Sequence, residues 1–178
     1  MYFKNNYYFL SNMYPCEITI DIDGTQYAFS CVESAYQTHK CPSRSSEFIG
    51  LNGYEAKKLG KKVELRNDWD DIKVALMKEL VKQKFSNPDL LGKLKEIEDE
   101  IVETNNWGDT FWGKCYGKGQ NVLGKILVEI RDGKIWGPIW SSFLSSNKYT
   151  FWALRKRKTK YFMIWRKGWK NYVQLRTC

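Results

Sequence analysis

The chain has 178 residues, enough for one compact domain with a real core and an appendage but short for two full domains. Its 28% charged and 43% apolar content is that of an ordinary soluble protein, whereas eight tryptophans and a 16% aromatic share are high, so rings must fill a core, line a stacking pocket or coat a surface. No apolar run approaches bilayer length and the first residues lack the apolar run of a secretory leader. The five cysteines are odd in number and form no C-x-x-C pair, which argues against a disulfide framework and a zinc site. A soluble, cytoplasmic protein with reduced thiols, no metal and no cofactor is expected.

The net charge of +9 divides at Asp132. Through that residue eighteen Lys and Arg face twenty Asp and Glu, a net −2, while eleven Lys and Arg and no acid follow it. Residues 1–132 are therefore expected to form the globular domain, and 133–178 an extension in which cations alternate with aromatics, as in Trp152, Arg155, Lys156, Arg157, Tyr161, Trp165 and Arg166. That composition suits phosphate contacts and base stacking on DNA or RNA. A strand pair packed on the domain, a segment at the lipid headgroup level and the product of a shifted reading frame are the competing accounts.

In chain order, Ile18 to Ile22 and Gln26 to Phe29 read as strands joined at Asp23-Gly24, a hairpin that needs a helix to cover it. Ser30-Cys31-Val32-Glu33 fits a capping box with Ser30 as N-cap, and the helix it opens should end before Pro42, which places Glu33 to Lys40 on one helix. Short helices are expected over Ser46–Leu51 and Tyr54–Leu59, parted by Asn52-Gly53 and stopped at Gly60. Ile72, Ala75, Leu76 and Leu80 give an amphipathic helix that starts at an Asn or Asp cap near Trp69 and runs to about Phe85. Pro88 opens the next, through Leu90, Leu91, Leu94 and Ile97. Ile101-Val102-Glu103 reads as a short strand. A glycine-broken loop then leads to Asn121 and a last helix, Val122 to Arg131. The fold class is α+β, mostly helical, with a small antiparallel β element.

Two constellations carry chemistry. On a helix Glu33, Tyr36, Gln37 and Lys40 share one face, so an acid, two hydrogen-bonding groups and an amine point one way. Structural accounts compete: Glu33 closing the capping box, Lys40 a solvated lysine at a helix end. The second is Glu103 to Gly113, which crowds Glu103, Asn105, Trp107, Asp109 and Trp112 among glycines; carboxylates work as acid or base, indoles stack and glycines admit a ligand to the backbone. An aromatic-rich loop capping the core is the structural alternative. Asn121, at a helix start, offers backbone N–H groups to a phosphate. His39 lies off the Glu33 face and reads as structural.

Phe9-Leu10-Ser11-Asn12, Val32-Glu33-Ser34-Ala35-Tyr36-Gln37 ending in Lys40, Arg66-Asn67-Asp68-Trp69, Lys84-Phe85, Glu103 through Gly113 and Asn121-Val122-Leu123-Gly124 occur in this order. In them the chain resembles the NADAR (YbiA-like) family from about Phe9 to Arg131, with the extension outside the match. The resemblance implies N-glycosidase activity on ribosylated substrates, either ADP-ribose on guanine bases of nucleic acid or ribosylaminopyrimidine phosphates of riboflavin synthesis. It also implies that Glu33 is the catalytic glutamate, Lys40 a lysine that forms a Schiff base with ribose, and Asp109 a required aspartate. Trp69 and Trp107 are implied as site aromatics. Asn12, Tyr36, Gln37, Glu103, Asn105, Trp112 and Asn121 are expected to line the substrate. Met13, where an aromatic is usual, and His39 before the lysine are departures that remove no reactive group. A module that binds ADP-ribose or modified nucleic acid without catalysis is the rival from another class.

Overall fold

The computed structural model describes residues 2–134. The basic extension therefore lies, from residue 135 onward, outside the described residues. A 3-10 turn over Asn5–Leu10 is followed by strands β1 (Ile18–Ile22) and β2 (Thr25–Phe29), then helix α1 (Val32–Thr38) and a 3-10 stretch over Pro42–Phe48. Helices α2 (Gly53–Gly60), α3 (Trp69–Lys84) and α4 (Pro88–Lys95) come next. Strands β3 (Thr104–Asn105) and β4 (Lys114–Cys115) and helix α5 (Val122–Arg131) complete the order. This is the mostly helical α+β arrangement expected, with an antiparallel hairpin and one short parallel pair that the sequence did not announce.

The hairpin forms where the sequence places it. Ile18 pairs with Phe29 and Ile22 with Thr25, and Asp23 and Gly24, both at positive φ, make the primed two-residue turn that suits twisted strands. Ile18, Ile20 and Ile22 alternate onto one face and are buried with Val32 and Ala35 of α1 and Met77, Leu80 and Val81 of α3. Leu123, Leu127 and Ile130 of α5 and Leu90 and Leu94 of α4 close the same core. Helix α1 is central: it packs on α2, α3 and the hairpin, and every one of its seven residues is buried.

Four expectations are corrected. The N-cap of α1 is Cys31, not Ser30: Ser34 N–H donates to Cys31 Sγ at 3.4 Å and Ser34 Oγ accepts from Cys31 N–H at 3.3 Å. Ser30 is drawn away because its hydroxyl donates to the Leu51 carbonyl at 2.7 Å. Helix α1 ends at Thr38, so Lys40 stands two residues beyond it; ahead of Pro42 the chain tightens into i→i+3 bonds, Lys40 N–H to Gln37 and Cys41 N–H to Thr38, each 3.2 Å. The helix expected over Ser46–Leu51 is replaced by the earlier 3-10 stretch, opened by Pro42. Ile101 to Glu103 is not a strand. The Asn121 side chain takes the Ile101 carbonyl and the Glu103 N–H at 2.9 and 3.0 Å, and pairing begins only at Thr104.

Helix α2 opens on Asn52 with a full capping box to Glu55. At the start of α3 Asp68 makes no side-chain cap, because Arg66 grips its carboxylate from two nitrogens. Cys16, Cys31, Cys41 and Cys115 are free thiols. Among the described residues no helix is long and apolar enough to cross a membrane.

Candidate active site

Loss of the capping role changes what Glu33 is for. Its side chain is 7% exposed, its backbone N–H donates to the Asn12 carbonyl at 2.9 Å, and its Oε1 accepts from Gln37 Nε2 at 2.8 Å. A buried carboxylate without a cap to make has to be held by other polar groups, and one turn later Gln37 supplies one. The other amide atom, Gln37 Oε1, is buried without a partner among the described residues, as is Asn12 Oδ1.

Aromatic rings wall the site. Tyr36 lies against Trp69 at 4.9 Å between centroids and meets Trp112 edge-on at 5.7 Å. Burial raises the Tyr36 phenol, with Glu33, Asp109 and Asp70 adding to the effect, so it stays a neutral hydrogen-bonding group. The Lys40 ammonium stands 5.7 Å over the Trp69 ring, and the Lys40 carbonyl accepts from Arg66 N–H at 2.9 Å, which draws the Arg66–Trp69 turn to the end of α1. Burial lowers the Lys40 amine from its ordinary value. Glu33 opposes that change, and the cations Lys57 and Lys61 reinforce it. The net direction is the one an amine nucleophile needs.

The second constellation reaches the same neighbourhood from the other side. Asp109 Oδ1 accepts from the N–H groups of Phe111 and Trp112 at 3.0 and 2.8 Å, a turn that holds the Trp112 ring against Tyr36. Burial pushes the Glu103 carboxyl up to about 7, with Asp109 and Glu33 adding and Lys57 opposing. Its Oε2 is buried with no partner among the described residues. Glu33, Tyr36, Lys40, Trp69, Glu103, Asp109 and Trp112 are thus gathered by contact or by mutual electrostatic influence.

Two expected lining residues spend their side-chain amides on the backbone. Asn105 is 1% exposed and spends its amide on the Asp109 main chain, at 2.7 Å to the carbonyl and 3.2 Å from the N–H. Asn121 is 4% exposed and holds the 101–103 backbone. Nor is the start of α5 an open phosphate site, because the N–H groups of Asn121, Val122 and Leu123 already donate to the carbonyls of Gly113, Phe111 and Trp112. Trp107 is 57% exposed at the loop tip.

A family model of the NADAR domain matches residues 1–134. The chain belongs to the NADAR domain family. It is 34% identical over 134 residues to a riboflavin biosynthesis protein of Vibrio vulnificus, covering 71% of this chain and 35% of that protein. An N-glycosidase of Nostoc punctiforme is 36% identical over 123 residues, 64% of this chain and 78% of its own. The NMR structure of Escherichia coli YbiA superposes with a TM-score of 0.62 at 25% identity, covering 75% of this chain and 83% of that one. This chain spans about a third of the length of the Vibrio relative.

Within the NADAR domain, two features escaped sequence reasoning. Lys57 of α2 acts on both Lys40 and Glu103, yet in the run Lys57-Lys58 it reads as an ordinary basic helix end. Gly53 and Gly60, two turns apart on α2, let that helix press on α1: a Cβ at Gly53 would lie 2.3 Å from Met13 Sδ and 3.2 Å from Glu33 Cβ, and one at Gly60 2.0 Å from Gln37 Oε1. Their spacing was the available signal. His39 is structural as expected, its Nδ1 at 2.8 Å from the Ala35 carbonyl; burial lowers its pKa to about 4, so the ring is neutral and Nδ1–H is the donor. Among the described residues no three His, Cys, Asp or Glu side chains stand as metal ligands do. A cavity of about 780 Å³ between Asn5–Phe9 and the end of α4 contains none of the residues above.

Proposed function

We propose that the chain is an N-glycosidase that hydrolyses the C–N bond between a ribose and a heterocyclic nitrogen. The observation that carries this reading is the Lys40 amine, lowered by burial and held near the buried Glu33 carboxylate within a wall of three aromatic rings. Breaking such a bond needs a proton for the leaving nitrogen and stabilisation of an oxocarbenium-like anomeric carbon. Glu33, buried and fixed by Gln37 and Asn12, supplies negative charge beside that carbon. Ring opening leaves the anomeric carbon as an imine-like electrophile still joined to the heterocyclic nitrogen; the Lys40 amine adds to it, the C–N bond breaks as the protonated heterocycle departs, and water hydrolyses the Lys40 imine that remains. The Tyr36, Trp69 and Trp112 rings offer flat apolar surface to the departing heterocycle.

For the substrate we favour ADP-ribose on guanine bases of nucleic acid, supported by the eleven cations and interleaved aromatics that follow Asp132. Ribosylaminopyrimidine phosphates are the second reading, favoured by the riboflavin biosynthesis proteins among the relatives. Both present a ribose, a phosphate and a C–N bond to the same site. Incubation with an ADP-ribosylated-guanine oligonucleotide and, separately, a ribosylaminopyrimidine phosphate, with released sugar read by mass spectrometry, distinguishes them. Release from neither sinks the enzymatic reading and leaves a binding module. Borohydride added during turnover is expected to leave a covalent sugar adduct on Lys40; full turnover by Lys40→Ala without any adduct would remove the imine step.

A further inference from the structure

Asp109 and Glu33 both act on Glu103 across the site, and each of these three acids is held differently. Asp109 Oδ1 is occupied by two backbone N–H groups, and its turn sets the position of Trp112. Glu33 Oε1 is occupied by the Gln37 amide. Glu103 is the reverse case. Its main chain is clamped, with N–H on Asn121 Oδ1 at 3.0 Å and carbonyl on Lys114 N–H at 2.8 Å. Gly113 packs so closely on it that an added Cβ would lie 2.3 Å from the Glu103 carbonyl oxygen. Yet Glu103 Oε2 is buried and meets no donor among the described residues.

A buried carboxyl oxygen with no donor is a costly place for an anion and an acceptable one for a protonated acid. The groups that act on it agree. Asp109 of the loop and Glu33 of α1 both disfavour a further negative charge, and Lys57 of α2 opposes them without prevailing. A fixed backbone carrying an unspent carboxyl head is also what preorganisation toward a ligand requires.

We propose that Glu103 is the general acid of the site, holding the proton that passes to the leaving nitrogen as the glycosidic bond breaks. The proposal rests on the N-glycosidase reading. As the C1′–N bond breaks, its electron pair stays on nitrogen, which takes the Glu103 proton and departs neutral, leaving Glu103 as a carboxylate. Water then adds to the anomeric carbon of the Lys40 imine and gives a proton to Glu103, and collapse of that adduct frees the Lys40 amine and the sugar aldehyde, which restores the starting state with one water consumed. Asp109 becomes a positioning residue that acts through Trp112.

Glu103→Gln keeps the shape and removes the proton. On whichever of the two ribosylated substrates the wild type cleaves, kcat should fall about 10²–10⁴-fold with KM little changed. Wild-type kcat should decline above neutral pH as Glu103 ionises; this alkaline limb should vanish in E103Q and persist in Glu103→Asp. Independently of activity, carbon-13 NMR of the free full-length protein labelled at glutamate carboxyls should show one resonance titrating near pH 7, absent from E103Q. Wild-type kcat in E103Q, survival of its alkaline limb, or no glutamate titrating near neutrality would each overturn the proposal. A wild type that cleaves neither substrate while that resonance is present would instead overturn the N-glycosidase reading and leave the protonated Glu103 standing.

Discussion

Helix α1 and the loop from Glu103 to Gly113 are equally rich in polar residues, but they spend them in opposite ways. Beyond its capped first turn, α1 satisfies its backbone by helical hydrogen bonding, so Glu33 and Gln37 can bond each other and keep polar atoms in reserve. In the loop little regular pairing exists, and buried main-chain groups must be met by side chains. Asn105, Asp109 and Asn121 all make such bonds. The contrast teaches that a polar residue in a loop has to be suspected of holding its own backbone before it is credited with holding a ligand. Glu103 is a loop residue whose carboxyl head escapes that duty.

Two substitutions of similar size should therefore separate into different observables. The largest effect is expected from Glu33→Gln, which preserves a partner for the Gln37 amide and leaves the helix backbone untouched. Its kcat should drop about 10²–10⁴-fold, while urea denaturation finds stability within about 1 kcal/mol of wild type. Asn121→Ala should do the opposite. It strips partners from the Ile101 carbonyl and the Glu103 N–H, both held by the Asn121 amide, and forces alanine into the left-handed region that asparagine occupies at φ 52°. A loss of about 3 kcal/mol in urea denaturation is expected. A stable Asn121→Ala protein, or a Glu33→Gln protein that unfolds, would break the comparison.

The elements whose determinants are local were legible. The Asp23-Gly24 hairpin, the helix opened by Pro88 and the helix after Asn121 need only turn chemistry, capping and periodicity, and they stand where those signals put them. What was misread depends on partners distant in sequence. Ser30 has the better capping side chain, but the Leu51 carbonyl claims it and a thiol caps the helix instead. Ile101 to Glu103 has strand-like composition, but the Asn121 amide occupies the groups a ladder would use. At the site, ordered motifs singled out Glu33, Lys40 and Asp109, and the structure gathers them. That the amides of Asn105 and Asn121 bond the main chain was not legible, because asparagine bonds a ligand and a backbone with the same atoms. Lys57 was overlooked because the charges it acts on, Lys40 and Glu103, stand far from it in sequence.

Trp107 gives the smallest expected change and the sharpest division within the loop. Its neighbours Asn105 and Asp109 are tied to the main chain, whereas its own ring is 57% exposed and takes part in none of the aromatic pairs that join Tyr36, Trp69, Phe111 and Trp112. Removing an exposed ring that fills no core leaves no cavity and orphans no backbone group, so Trp107→Ala should shift stability by no more than about 0.5 kcal/mol. On the proposed N-glycosidase reading, the exposed Trp107 indole stacks on the heterocycle or on a neighbouring base. The substitution should therefore raise KM and leave kcat unchanged, the mark of binding shared equally by ground state and transition state. A Trp107→Ala protein that melts well below wild type would place the ring with the scaffold, and the division between backbone-holding and ligand-facing residues would have to be redrawn inside the loop itself.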